Sequence, residues 1–457
     1  MQTTFSPAVV TAFVRHLILA TVLTGLVTST IYGQVVTERL QLVASDGDRS
    51  DWFGSAIAMD DGMIGVGATQ DDENGSDAGA AYLFDAITGN QIAKLLSEDG
   101  EPDDRFGNSI AIDAGLVAVG APMHRHNGVR AGAVYLFDSS TGDDISELMA
   151  SDEESARWLG NSVAMDAGIV IAGASQSNSG SGAAYLFDAQ TGSQLFRIVA
   201  QDAAPGDNFG VSVSSSHGLI VIGAFRDDDN GVDSGSAYVF DVSTGTQIAK
   251  LLADDGEPGD GFGLSVAIEN GIVAVGAYEN DQNGRRSGSV YLFDATSGVQ
   301  LAKLVASDGD VDNWFGFSVD MDNGMVAVGA MFDRFDGLDI GAAYLFDATT
   351  GEQVSKLIQG GHERASWYAA AIVMDRDIIA VGAPADWSPE FGAGSVSIFD
   401  TACPVDAISD DHLDFYDLQS FLRAFAYRQR AGDWTMDGQW DLFDVIGFLD
   451  AFAAGCP

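Results

Sequence analysis

Cysteine is nearly absent from this chain of 457 residues: there are two, Cys403 and Cys456, both close to the C-terminus. That is too few for a disulfide scaffold or a zinc ribbon. Proline is scarce, with nine. Positive charge is scarcer still. Lys and Arg total 21 against 67 Asp and Glu, a formal net charge of −46. Neutralising phosphates needs a basic patch, so nucleic acid is excluded as a partner. Only four lysines occur: Lys94, Lys250, Lys303 and Lys356. Long apolar runs are also missing. The longest, Leu17–Val27, is too short for a helix that spans a bilayer, which needs roughly 20 apolar residues.

Arg15 and His16 precede that run, and the polar stretch Thr28–Thr30 and Gly33-Gln34 follow it. A charged, apolar, then small-residue order reads as a secretory signal over residues 1–33, cut near Gly33, with an uncleaved anchor as the alternative. No transmembrane segment is expected after its removal, so export to the surface or beyond is the expectation. Hydrophobic residues make up 46% of the chain, so the acid does not imply disorder. Glycine is abundant, at 55 residues, which suggests many tight turns.

The middle of the chain repeats itself. Phe-Gly recurs at Phe53, Phe106, Phe209, Phe262 and Phe315, with Leu159-Gly160 and Tyr368-Ala369 as degenerate copies. The steps are 53, 53, 50, 53, 53 and 53 residues. Gly-Ala keeps the same beat at Gly67, Gly120, Gly173, Gly223, Gly276, Gly329 and Gly382. Tyr-Leu-Phe-Asp or a variant ends at Asp85, Asp138, Asp188, Asp241, Asp294, Asp347 and Asp400. A fixed period near 50 residues is the mark of a repeat architecture.

Each copy holds four strand signals. In the first they are Ser55–Met59, Met63–Ala68, Ala80–Asp85 and Gln91–Leu96, with Asp60-Asp61-Gly62 turning the first into the second. Four-stranded units in a ring are propeller blades, so the expected fold is all-β, a seven-bladed β-propeller over residues 36–400. The seventh copy ends at Asp400 without a fourth strand. Leu42–Asp48 repeats Leu304–Asp310 letter for letter, so a strand near Glu38–Val43 is expected to complete the last blade.

These anchors resemble FG-GAP repeats, the blades of the integrin α-subunit propeller and its bacterial relatives. Gly120-Ala121-Pro122 and Gly382-Ala383-Pro384 spell the second half in full. Integrin-type blades often carry a calcium loop between the two anchors. Here that place holds only a tight turn, which cannot offer the six to eight oxygens calcium takes. The acids stand instead in the loops between strands two and three, as in Asp71–Asp77 and Asp227–Asn230, and in the links between blades, as in Asp46–Asp48 and Asp254–Glu257. One side of the disc is expected to be strongly negative and the tight-turn side less so. Solvated loops and the binding of a cation, a protein or a glycan are the competing readings.

Other residues offer weaker signals. Trp52, Trp158, Trp314 and Trp367 precede the Phe-Gly position, and Trp387 lies in the last loop; packing between blades and stacking on sugars both fit. His124-x-His126, with Arg125 and Arg130 nearby, could ligate a metal, but spacing supplies no third ligand and solvent exposure is expected. His362-Glu363 does not extend to a zinc-protease helix. Gly-x-Ser, as in Gly107-Asn108-Ser109, lacks the second glycine of a nucleophile elbow and recurs in several copies.

Residues 401–457 change character. Two acidic loops begin 27 residues apart, at Asp406 and Asp433. The second places oxygens from Asp433, Thr435, Asp437, Asp441 and Asp444 at loop positions 1, 3, 5, 9 and 12, glycine at 6, and the Gln439 carbonyl at 7. The first has Asp406, Asp410, His412, Asp414 and Asp417, but Ile408 cannot ligate and Asp411 replaces the turn glycine. An apolar helix is expected after each. The paired loop-helix units resemble dockerin modules, related to EF-hands, and the resemblance implies calcium as cofactor and a cohesin-like or envelope partner. A disulfide between Cys403 and Cys456 would tie the module's ends, by about 4 kcal/mol on loop closure; two free thiols are the alternative. The whole reads as a secreted or cell-surface recognition or adhesion protein. The alternative is a polysaccharide-active enzyme delivered by the dockerin-like module. Near-equivalent blades favour recognition over catalysis, and no catalytic residue is assigned.

Overall fold

In a computed structural model the described residues are 38–152, 156–335, 338–359, 366–386 and 392–400. The expected signal segment, Trp387, His362-Glu363 and the whole C-terminal module, with its metal ligands and both cysteines, lie outside them. The described residues form seven four-stranded antiparallel sheets. Blade 1 contains β2 (Phe53–Asp60), β3 (Met63–Ala68), β4 (Ala80–Asp85) and β5 (Gln91–Leu95), paired in that order. The seventh sheet runs Ile372–Asp375, Ile378–Ala383, Ser395–Asp400 and then β1 (Glu38–Leu42). There Leu40 pairs with Ile398 and Leu42 with Val396. The first strands of neighbouring blades touch all the way round, blade 7 against blade 1 included.

The second and third strands are buried along nearly their whole length, as in Leu116–Ala121 and Ala133–Asp138. The reason is that both sheet faces are covered by neighbouring blades. Burial accordingly divides into seven clusters, each built from two adjacent blades. The cluster of Leu42, Val396 and Ile398 with Val66, Tyr82 and Phe84 joins blade 7 to blade 1. The outer strands alternate, since only one side is covered: in Gln91–Leu95, Leu95 is buried and Ile92 exposed.

The two glycine anchors are one contact seen from two sides. A β-carbon on Gly67 would collide with the carbonyl oxygen of Gly107 in the next blade. The same holds for Gly120 with Gly160, Gly173 with Gly210, Gly223 with Gly263, Gly276 with Gly316, and Gly382 with Gly54. The Phe-Gly glycine also takes positive φ, +92° at Gly54, and the degenerate Ala369 is held at +64°. Anchor phenylalanines stack edge-on against the Tyr and Phe of their own blade: Phe53 lies 5.5 Å from Tyr82 and 5.7 Å from Phe84. Blade 7 varies this pair, with Tyr368 at the Phe position and Ser397 at the Tyr position, both buried.

The repeated Gly-x-Ser serines are structural ties. Ser109, Ser162, Ser212, Ser265 and Ser318 each donate to the anchor carbonyl of the next blade, at 2.8–3.0 Å. The tryptophans pack on neighbouring aromatics: Trp52 meets Trp367 edge-on at 5.4 Å, and Trp314 lies against Tyr278, Phe317 and Phe332.

Candidate functional site

The loops between second and third strands meet the links between blades on one side of the disc. Asp103, Arg105 and Phe106 donate their backbone N–H groups to the carbonyls of Ser76, Asp77 and Ala78. The opposite side holds the tight turns and is not short of acid. There Asp60, Asp166, Glu269 and Asp322 each accept a backbone N–H from a neighbouring blade's turn region. Asp85, Asp138, Asp188, Asp241, Asp294 and Asp347 accept from the turn that follows them, which lowers their pKa values. So the sides differ less in charge than in its use. Turn-side carboxylates mostly hold backbone; loop-side carboxylates hold backbone too, as Asp104 does the N–H of Glu101, and in addition gather around cations.

Those loop-side clusters repeat with the blades. All four lysines of the chain stand at one position, the fourth residue of an outer strand. Lys94 reaches Asp46 in the preceding link at 2.7 Å, and Asp71 and Glu73 in its own blade's loop at 2.9 and 2.7 Å. Its ammonium lies 5.3 Å from the centre of the Tyr82 ring, and Tyr82 donates its hydroxyl to Asp71. Burial alone would lower the lysine's pKa. Its bonds to Asp46, Glu73 and Asp71 outweigh that and hold it well above the ordinary lysine range. Lys250 repeats the arrangement with Asp202, Asp227 and Asp229. Lys356 does so with Asp308 and Asp333. In blade 5 the loop position is neutral Asn280, and Lys303 pairs with Asp255 and donates to the side-chain oxygen of Gln282. Blade 3 substitutes Arg197, 3.3 Å from Asp152. In blade 7, Gln41 of β1 donates to Asp386.

Blade 2 breaks the pattern twice. Glu147 stands where the lysines stand, and His124 replaces Asp71. The sequence alone predicts solvent exposure for His124. It is instead buried, at 3% exposure, because its position in the loop faces the outer strand of its own blade. Its Nδ1 lies 3.0 Å from Asp104 Oδ2. Its Nε2 faces Glu147 Oε1 at 3.5 Å and Asp99 Oδ2 at 3.7 Å. Tyr135 donates its hydroxyl to the other oxygen of Asp99 at 2.9 Å. Three donor-bearing groups thus converge, with ligand atoms within 4.8 Å of one another. Burial opposes the charged form of His124, but the bond to Asp104 and the fields of Asp104, Asp99 and Glu147 prevail and raise its pKa. Glu147 is also raised, by burial first and by Asp99 next. His126 lies in a short hairpin, Arg125–His126 with Val129–Arg130, close enough for its charge to act on Glu147.

Spacing along one copy could not show this cluster. Asp99 belongs to a link, His124 to a loop and Glu147 to an outer strand. The signal was present across copies, where Glu147 falls in the lysine column.

On the inner strands, Asp320 departs from the alanine at the equivalent position of blades 1, 2, 3 and 5. It accepts the N–H of Met374 in the next blade at 2.6 Å, as Ser214 Oγ accepts that of Ile268. Desolvation pushes its carboxyl up to about 7.

Among the described residues, no helix is long and apolar enough to cross a membrane. No curated protein matches the chain. The FG-GAP repeat model matches residues 36–84, 90–137, 143–187, 193–240, 246–293 and 299–346. Each matched stretch takes an outer strand with the three strands that follow it, and together they cover well over half of the sequence. The chain therefore belongs to the FG-GAP repeat family.

Proposed function

We propose that this protein is an exported, non-catalytic recognition or adhesion propeller. The observation that carries the reading is the near-equivalence of the blades on an FG-GAP frame. Catalysis concentrates a unique set of groups in one place, whereas here the loop-side clusters recur in blades 1, 4, 5 and 6, and blade 2 departs from them on the same frame. The one off-pattern acid on the inner strands, Asp320, has a backbone partner of the same kind as Ser214. The ligand is a protein or a glycan, met on the loop side.

The finer parts of the proposal rest on sequence. Residues 1–33 direct export. Residues 401–457 form the dockerin-like module, which takes calcium at Asp433, Thr435, Asp437, Gln439, Asp441 and Asp444, and more weakly at the loop of Asp406, Asp410, His412, Asp414 and Asp417. That module attaches the propeller to an envelope component or a cohesin-like partner. β1 serves as the clasp of the ring, a role supported by its pairing with Ser395–Asp400.

The test uses the mature full chain, immobilised and offered solubilised envelope proteins and a polysaccharide panel, first with calcium and then with chelator. The proposal expects capture of a defined partner with calcium, its release by chelator, and its loss in Asp433→Ala/Asp444→Ala. Capture that survives chelation and the double substitution contradicts calcium-dependent attachment. Turnover of a polysaccharide contradicts the non-catalytic reading.

A further inference from the structure

We propose that blade 2 holds one divalent transition-metal ion, of the zinc class, between Nε2 of His124 and the carboxylates of Asp99 and Glu147. The site is separate from the C-terminal calcium loops and lies within the propeller.

The comparison among blades supplies the first argument. In blades 1, 4, 5 and 6 the linker aspartate meets a lysine ammonium at 2.6–2.7 Å. In blade 3 an arginine takes that part. In blade 2 the same place holds a carboxylate, Glu147, facing Asp99 across the His124 ring. An acid takes the lysine's place and a histidine the loop aspartate's, while Asp104 beneath remains an acid. A bound cation restores the balance that the lysine gives elsewhere.

The orientation of the histidine supplies the second. An ionised carboxylate can only accept, so Asp104 fixes the hydrogen on Nδ1 and turns the Nε2 lone pair toward Asp99 and Glu147. Carboxylate to imidazole to metal is the usual way an outer partner orients a histidine ligand. Tyr135 does the same for Asp99, tying one oxygen and leaving Oδ2 toward the imidazole. Among the described residues Nε2 makes no hydrogen bond, although His124 is buried. Glu147 Oε1 is likewise buried without a hydrogen-bond partner.

Distances decide the metal class. Nitrogen and oxygen ligands at about 2.0–2.1 Å in a tetrahedron stand about 3.3 Å apart. The gaps of 3.5 and 3.7 Å from Nε2 need only slight tightening to meet that. Calcium bonds are longer, at about 2.3–2.6 Å, and calcium prefers an all-oxygen shell. One imidazole with two carboxylates suits zinc or a neighbouring divalent ion. Asp99 is half exposed, so a fourth position faces water.

The sibling blades provide the control substitutions. His124→Asp/Glu147→Lys copies the side chains of blade 1, and His124→Asn copies the asparagine of blade 5. Calorimetric titration of the full chain with Zn²⁺, in millimolar calcium to occupy diffuse acidic sites, is expected to find one tight equivalent. Both variants should weaken it roughly tenfold or more, and Asp104→Asn should weaken it by about tenfold. Titration with Co²⁺ should give visible absorption bands in the wild type that both variants lack. Zinc binding that is equal in wild type and both variants, or absent from the wild type, overturns the proposal and leaves His124 as an imidazolium between two carboxylates.

Discussion

Blade 1 and blade 2 share a backbone and differ in what they do with charge. Gly67 and Gly120 each press on a carbonyl of the next blade, and Phe53 and Phe106 each stack on the equivalent Tyr and Phe of their own blade. Above that common frame, blade 1 closes its acidic cluster with Lys94, while blade 2 puts Glu147 and His124 in the same space. The frame is set by contacts that admit no side chain, so it tolerates exchange of the groups it carries. Repetition fixes the positions, and one blade can then be altered without disturbing its neighbours.

The largest expected effect tests the shared frame. Gly67→Ala drives a methyl into the Gly107 carbonyl and should cost about 3 kcal/mol of stability. Gly120→Ala meets the equivalent carbonyl of Gly160 and Ser109 Oγ besides, so it should cost at least as much. Chemical denaturation of both variants checks this, and a clearly smaller loss in Gly120→Ala would separate the two frames.

The next effect sharpens the comparison among clusters. Lys250→Met strands Asp227, which is buried, beside Asp202 and Asp229. Removing one partner of a buried pair should cost about 3 kcal/mol. Lys303→Met loses half-exposed Asp255 and the side-chain oxygen of Gln282, strands no buried carboxylate, and should cost about 1 kcal/mol. Equal losses in the two variants would show that the buried aspartate is immaterial.

Acidity distinguishes blade 2 from the rest. The pKa of His124 is raised in the fold by Asp104, Asp99 and Glu147, against the opposing effect of burial. Its contribution to stability is then fully present below its unfolded value near 6.5 and fades as pH rises through the folded value. Metal-free wild type should therefore lose stability above about pH 6.5 relative to His124→Asn. Parallel pH profiles would remove the histidine from the charge balance.

The smallest effect concerns blade 7. Ala369 occupies the anchor position that other blades give to glycine, at φ +64°. Ala369→Gly should relieve that strain and stabilise by about 0.4–1 kcal/mol, readable as a rise in Tm. A fall would mean that the methyl has a packing role.

Most of the frame was legible in the sequence. The strands Met63–Ala68 and Ala80–Asp85 have the limits that their apolar runs suggest. The first strand begins earlier than its run, at Phe53, because Phe53 pairs with Ala68 across an irregularity in register. That irregularity depends on backbone geometry, which apolar periodicity does not report. The blade 2 cluster was hidden for a different reason. His124 was read within its own loop, where two arginines suggested solvent. Its partners Asp99 and Glu147 come from a link and an outer strand that only the folded sheet brings beside it.

The most direct measurement is anomalous diffraction at the zinc edge from crystals of the full chain grown with Zn²⁺ and calcium. The account predicts one strong peak among His124, Asp99 and Glu147, and none beside Lys94, Lys250 or Lys356. Peaks of equal height at all the loop-side clusters, or no peak in blade 2, would contradict it.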